Sequence, residues 1–437
     1  MISKIAKPFI IALLIFSMVG HNAAYALTPQ YGIKAEAGLL MDMSTGEILY
    51  SKNGDEQLYP ASLTKIMTAI LVIEDLNLED TVTIDDKSPF VDGSKMYLTP
   101  GEELTVNQLL NVMLVKSAND AALALAIFHS GSVEAFAEAM NAKAVELGAT
   151  NTNFVNPNGL HDDAHVTTAH DLALMASYAM TLPVFRDIVK KSKLTVAPTN
   201  KQPEVRVYSN SNKLLWAEGS KYKMDYKGKQ VDIKYDIVNG IKTGYTTKAD
   251  QCIVTSAADG DKEMLAVILK TDANSIYSDA RTLLDFGLYE IESETLITAG
   301  DFVVSYDLNN EKNNHVDLVA KNTVKSYKVK GETLTGAEQN LVMNDGIELP
   351  IKEGEVLATL EFFNGEEIIG TTELVAASGV SDKDMFLEET HFFADENKNS
   401  LPIKIGKIVL KFIAAFFIWR FIMTFINLKK RQRKSKI

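Results

Sequence analysis

Residues 60–70, PASLTKIMTAI, place Ser62 at the mouth of an almost wholly apolar stretch and Lys65 three residues beyond it. Leu63, Ile66, Met67, Ile70, Leu71, Val72 and Ile73 leave little polar surface, so a helix starting near Ser62 is expected to be buried on most sides. On a helix, residues three apart share a face, which brings the Lys65 amine beside the Ser62 hydroxyl. Burial disfavours a charged amine and lowers its pKa toward the range in which it accepts a proton. A poor nucleophile thereby gains a local base, at a helix N-terminus whose amide groups favour developing negative charge. Alone, the spacing is weak evidence. Ser220 and Lys223 repeat it in the polar stretch EGSKYKMDYKGK, and an ordinary N-cap serine satisfies it equally.

Around this stretch, residues 35–51 alternate about Ser44-Thr45-Gly46 and predict a hairpin. Thr105 with Gln108 is a capping box for VNQLLNVMLV, and AALALAIF after Asp120 predicts a second helix, leaving residues 116–119 as a short connection. Thr168 with Asp171 opens a further helix, LALMASYAM. From Ile237 the period becomes that of strands: IKTGYTT, QCIVTSAA and EMLAVILK, separated by turn residues, predict an antiparallel meander. The amphipathic SIYSDARTLLDFGL follows as a helix. Strands bracketing a helical middle predict one α/β domain that closes near residue 290. Beyond it FVVSYDL, HVDLVAK, TVKSYKV, VLATLEFF and EEIIGTTELVAA predict a second, all-β domain, with a hairpin turn at Asn364-Gly365 and no pairing of nucleophile and base.

Two further motifs join Ser62 and Lys65. Ser117-Ala118-Asn119 falls in the connection between two helices, and Lys242-Thr243-Gly244 lies on the strand that opens the meander. Separately each reads as a surface loop or an edge strand, and Ser51-Lys52-Asn53 matches the first of them by accident. The three in order form the set shared by penicillin-binding proteins and class A β-lactamases. With the flanking strings YPASLTKIMTA, VKSANDAA, FVNPNGLHDD and NGIKTGYT, residues 27–380 resemble the low-molecular-mass penicillin-binding proteins that act as serine-type D-alanyl-D-alanine carboxypeptidases.

That resemblance implies a transpeptidase/β-lactamase-like α/β domain, an antiparallel sheet with helices and a helical subdomain, over residues 27–290. An all-β, sandwich-like domain over 291–380 and a C-terminal membrane helix would follow. It implies that Ser62 attacks the terminal D-Ala-D-Ala bond of peptidoglycan pentapeptide stems while Lys65 takes its proton, and that β-lactams acylate the same serine. Ser117 would relay a proton to the leaving amine, and Asn119 would hold the substrate or position Lys65. Lys242 and Thr243 would bind the terminal carboxylate, and Gly244 would let the substrate lie against the strand. The backbone N–H groups of Ser62 and Tyr245 would form the oxyanion hole. No cofactor and no metal are required.

Three rivals bear on this reading. His161, His165 and His170 with Asp162, Asp163 and Asp171, in HDDAHVTTAHD, offer zinc-ligand chemistry, but in a loop, and with Asp where the helical zinc motif needs Glu. A β-lactamase of class A needs a further Glu for deacylation, and Glu138-Ala139-Met140-Asn141 has the wrong spacing for one. A non-catalytic wall-binding protein would not require all three motifs. Transpeptidase or endopeptidase activity stays open, because the acceptor depends on the shape of the groove.

The two ends differ from the body. Lys4 and Lys7, an apolar run and Ala24-Tyr25-Ala26 make residues 1–26 a secretory signal peptide, with Leu27 as mature start; an uncleaved anchor is the alternative. Polar residues 381–403 read as a linker, and residues 404–428 as an apolar membrane segment ahead of a basic tail, 429–437. Lys411 and Arg420 inside that segment cost about 2.5–3.5 kcal/mol each at a helix centre, so a helix lying in the interface rivals one that spans. The expected location is the outer face of the cell membrane, anchored by the C-terminus. Of 44 basic residues, 12 lie in the leader and beyond Ile403, leaving 32 against all 57 acidic ones. Such a body repels nucleic acid, and the basic tail suits anionic lipid. The single cysteine, Cys252, excludes an intramolecular disulfide and reads as a buried strand residue.

Overall fold

The computed structural model describes residues 27, 29–308, 315–331, 338–365 and 367–381. The leader, all of the linker but its first residue, the membrane segment and the basic tail lie outside the described residues. Among the described residues no single helix is long and apolar enough to cross a membrane.

The predicted hairpin forms as β1 (Ala37–Asp42) and β2 (Ile48–Lys52). The meander forms as β3 (Val238–Thr246), β4 (Asp250–Asp259) and β5 (Lys262–Thr271). Together they make one antiparallel sheet in the order β2-β1-β5-β4-β3, with Leu39 opposite Val267 and Val254 opposite Lys242. The strands read as nearly unbroken apolar runs because both faces are covered. Leu39, Met41, Val254, Leu265 and Val267 face a helical layer, while Leu40, Ile253, Ala266 and Ile268 belong to the core packed with α7 (Ile276–Asp285).

The helical layer holds α1 (Lys65–Asp75), α2 (Val106–Val115), α3 (Asn119–Ser130), α4 (Val133–Glu146), α5 (Ala169–Thr181) and α6 (Pro183–Val189). The Thr105–Gln108 capping box closes in both directions, and the Thr168 side chain accepts from the Asp171 amide. α6, which the sequence reading did not anticipate, is a short helix opened by Pro183.

Two compact units divide the described residues. One runs to Asp301 and adds Ala320–Met343 and Ala358–Leu374; the other takes Phe302–Val319, Asn344–Leu357 and the residues from Val375. Within the first, strand Ile291–Ile297 pairs antiparallel with Val324–Val329, Glu292 opposite Lys328. Within the second, Phe302–Asp307 pairs with the strand beginning at His315, Ser305 opposite Asp317. The predicted all-β character of the C-terminal region holds, and it includes two strands that the alternation did not reveal, Ile291–Ile297 and Glu338–Met343.

Candidate active site

The helix expected to start near Ser62 opens with a 3-10 turn, so Ser62 lies within that turn and is not an N-cap. Ala61 adopts a left-handed φ of 46°, residues Ala61–Thr64 form a 3-10 turn, and α1 begins at Lys65. The expected pairing survives because side chains three apart eclipse in a 3-10 turn. Lys65 Nζ lies 2.9 Å from Ser62 Oγ.

Contacts from the loop at residues 155–165 fix this turn. A Cβ on Gly159, whose φ is +81°, would lie 1.8 Å from the Ala61 carbonyl oxygen, so only glycine lets the loop approach so closely. The Thr64 hydroxyl donates to the Ala61 oxygen at 2.8 Å, and His165 Nε2 lies 2.8 Å from that hydroxyl. His165 Nδ1 accepts from the Val155 amide at 3.0 Å, which places the ring proton on Nε2 and makes it the donor to Thr64. Burial pushes the His165 pKa down to about 4, so the ring is neutral at physiological pH.

Lys65 is fully buried and has three oxygen neighbours: Asn158 O at 2.6 Å, Asn119 Oδ1 at 2.7 Å and Ser62 Oγ at 2.9 Å. Desolvation, and secondarily the charge of Lys242, hold its pKa well below the ordinary lysine value, against an opposing pull from Asp120. A neutral amine has two protons and one lone pair. The two shortest contacts are to oxygens that only accept, so they take the protons, and the lone pair is left facing the Ser62 hydroxyl. That is the state a general base needs.

Asn119 opens α3 and is clamped on its other side, Nδ2 donating to Asp92 O at 2.6 Å and its backbone amide to Ser94 O at 2.7 Å. The buried Asp120 carboxylate accepts from the amides of Met96 and Leu98, both at 3.1 Å, so the segment opposite stays in place. Between α2 and α3, Ser117 takes a φ of 66°.

On β3, Gly244 passes over the nucleophile turn: a Cβ there would meet Pro60 O at 2.9 Å and Ser62 N at 3.1 Å. Ser62, Ser117, Asn119, Thr243, Gly244 and Tyr245 wall one cleft of about 510 Å³. Lys65 lies beneath it, bonded to Ser62 from below. Lys242 precedes the cleft-lining Thr243 on β3, and its charge is felt at Lys65. It is fully buried, its Nζ donates to the Thr243 carbonyl at 2.8 Å, and burial lowers its pKa to about 7.

Two contributors escaped the sequence reading. Asn158 acts through its backbone carbonyl, to which no side-chain motif points. Ser211 Oγ accepts from Thr243 Oγ1 at 2.8 Å and its amide donates to Val115 O, so it ties β3 to the end of α2. Its context, Ser209-Asn210-Ser211-Asn212, signals only a loop. The three candidate zinc histidines disperse: His161 pairs with Asp163, His165 is buried against Thr64, and His170 pairs with Asp55. Among the described residues no three histidine, cysteine, aspartate or glutamate side chains gather as metal ligands.

Residues 23–273 match the family described as D-alanyl-D-alanine carboxypeptidase, peptidase S11. The chain belongs to this family. Residues 292–382 match the C-terminal domain of penicillin-binding protein 5. Among curated S11 peptidases, the D-alanyl-D-alanine carboxypeptidase DacF of Bacillus subtilis is 31% identical over 80% of this chain and 86% of its own length. DacC of Escherichia coli is 31% identical over 77% of this chain and 82% of its own. The solved structure of penicillin-binding protein 5 from Haemophilus influenzae aligns with a TM-score of 0.68 at 28% identity, covering 82% of this chain and all of that one. The carboxypeptidase DacD from Francisella tularensis aligns at 0.61 and 26%, covering 82% of this chain and 96% of that one. The chain is thus similar along both its α/β and its all-β regions to the low-molecular-mass penicillin-binding proteins.

Proposed function

We infer that the chain is a serine-type D-alanyl-D-alanine carboxypeptidase, which removes the terminal D-Ala from peptidoglycan stem peptides through an acyl-enzyme on Ser62 and is acylated there by penicillins. One observation carries the reading: the fully buried Lys65 amine, its pKa held well below the ordinary lysine value by desolvation, lies 2.9 Å from the Ser62 hydroxyl.

Ser62 Oγ attacks the carbonyl carbon of the penultimate D-Ala as its proton moves to Lys65 Nζ. The oxygen that becomes negative is received by the backbone N–H groups of Ser62 and Tyr245, and the close pass of Gly244 over Ser62 N supports that pairing. Collapse breaks the C–N bond: Ser117 hands its proton to the departing amine of D-alanine and is reprotonated with the proton held by Lys65, which returns to the neutral amine. Water then attacks the ester, Lys65 accepts its proton and passes it to Ser62 Oγ, which leaves as the free hydroxyl. Asn119 keeps the Lys65 amine oriented through both halves. Thr243 contributes its hydroxyl to the substrate's carboxylate end.

The protein is exported and held at the outer face of the membrane by residues 404–428; the leader-like N-terminus, the apolar segment and the basic tail support this.

Mass spectrometry after exposure to a labelled penicillin tests the chemistry. The adduct is expected on the Ser62 peptide, with Ser62→Ala abolishing both the adduct and D-alanine release. An adduct that persists in Ser62→Ala would refute the assignment.

A further inference from the structure

We propose that His165 is a positioning residue for acylation: through the Thr64 hydroxyl and the Ala61 carbonyl it aims the Ser62 backbone N–H at the oxygen that becomes negative. The proposal rests on the peptidase reading above, in which that N–H is one donor of the oxyanion hole. Such a donor helps only if it is held in place before the charge develops. The Ser62 N–H shares a peptide unit with the Ala61 carbonyl. The unit is trans and planar, so the two groups point in opposite directions, and whatever fixes the carbonyl fixes the N–H. The carbonyl needs fixing, because Ala61 sits at a φ of 46°, a left-handed conformation that alanine keeps only where its surroundings impose it. Ser62 faces the cleft, so the restraint has to come from the buried side.

It comes as a chain of hydrogen bonds that all run toward the carbonyl. The Val155 amide donates to His165 Nδ1 at 3.0 Å, His165 Nε2 donates to Thr64 Oγ1 at 2.8 Å, and Thr64 Oγ1 donates to Ala61 O at 2.8 Å. Thr64 and His165 are both buried, so water does not compete for these bonds. Because every donor points the same way, each bond polarises the next, and the last one polarises the peptide unit that carries the Ser62 N–H. Only the neutral ring with its proton on Nε2 completes the chain. Burial, reinforced by His161 and Lys65 and opposed by Asp162, holds the ring pKa at about 4, which keeps that form near neutral pH. The Phe154 ring lies across the imidazole, 5.6 Å between centroids, and steadies its plane. His165 itself does not line the cleft, so its influence reaches the reacting atoms only through Thr64 and Ala61.

The test compares an acyl-D-alanyl-D-lactate ester with its thionoester, in which sulfur replaces the oxygen of the scissile carbonyl, by the release of D-lactate from each. Sulfur accepts hydrogen bonds weakly, so the oxygen-to-sulfur ratio of kcat/KM reports what the oxyanion hole contributes, and a general loss of folded enzyme leaves it unmoved. His165→Phe keeps a ring against Phe154 but removes both hydrogen bonds. It should lower the ratio about ten-fold, part of the roughly 10²- to 10³-fold that loss of a whole donor costs, with KM for the ester little changed. Thr64→Val, which removes only the hydroxyl, should lower it equally, and the double variant should lose no more than either, because the two groups form one chain. His165→Gln should keep the ratio, since its Oε1 can accept from Val155 while its Nε2 donates to Thr64. An unmoved ratio in Thr64→Val and in folded His165→Phe overturns the proposal, as does a fall in His165→Gln that equals the fall in His165→Phe. Should His165→Phe not fold, an unmoved ratio in Thr64→Val overturns it alone. If the wild-type enzyme releases D-lactate from neither ester and penicillin does not acylate Ser62, the peptidase reading itself is refuted.

Discussion

Replacing Lys65 by methionine keeps the length of the side chain and removes the base, which makes it the sharpest probe of the neutral-amine argument. General-base assistance contributes roughly 10²- to 10⁴-fold, or about 3–5 kcal/mol of barrier, and Lys65→Met should lose that much in the rate of Ser62 acylation by a fluorescent penicillin. Stability should respond in a separate, pH-dependent way. Methionine leaves Asn119 Oδ1 and Asn158 O without the amine they receive at 2.7 and 2.6 Å, a cost of about 1–3 kcal/mol for each acceptor. It also deletes a group whose native pKa lies well below its ordinary value. Between that lowered value and about 10.4, the unfolded chain binds a proton at Lys65 that the native protein does not. Wild-type stability therefore gains from rising pH in that window, by up to about 1.4 kcal/mol per pH unit, and the variant lacks this gain. Urea unfolding of both proteins at pH 8, 9 and 10 isolates the contribution, because the other titrating groups cancel in the difference. A stability difference that stays flat across this range, or acylation within ten-fold of wild type, would refute the reasoning.

Gly159→Ala should abolish acylation or prevent folding, since the new Cβ would overlap the Ala61 carbonyl, at 1.8 Å, and force the nucleophile turn apart; loss of penicillin labelling in whatever protein folds checks it. Cys252, fully buried on β4 with its thiol pKa pushed up to about 12, should resist iodoacetamide at pH 8 in the native protein and react on unfolding in urea, read by intact mass. Truncation after Asn399 should release an enzyme from the membrane fraction that keeps its turnover on small D-Ala-D-Ala peptides, because the motif residues all precede residue 250; retention in the membrane after a high-salt wash would contradict the C-terminal tether.

Much of this site was legible because its chemistry is written in side chains at short spacings. Ser62 with Lys65, Ser117 with Asn119, and Lys242-Thr243-Gly244 each declare a local pattern, and the helix and strand periods around them place each pattern on its element. What was not legible has a common physical cause. The nucleophile turn is 3-10 rather than the first turn of a helix because Ala61 is held left-handed beneath Gly159, nearly a hundred residues away, and no window around Ser62 contains that constraint. Asn158 orients the base through a carbonyl oxygen that any residue would carry, so its identity reports nothing of the role. Lys242 matched the motif, yet its full burial and the lowering of its pKa to about 7 are properties of the packed sheet rather than of the tripeptide. A motif therefore locates the reacting atoms, whereas long-range packing decides which neighbouring charges those atoms meet.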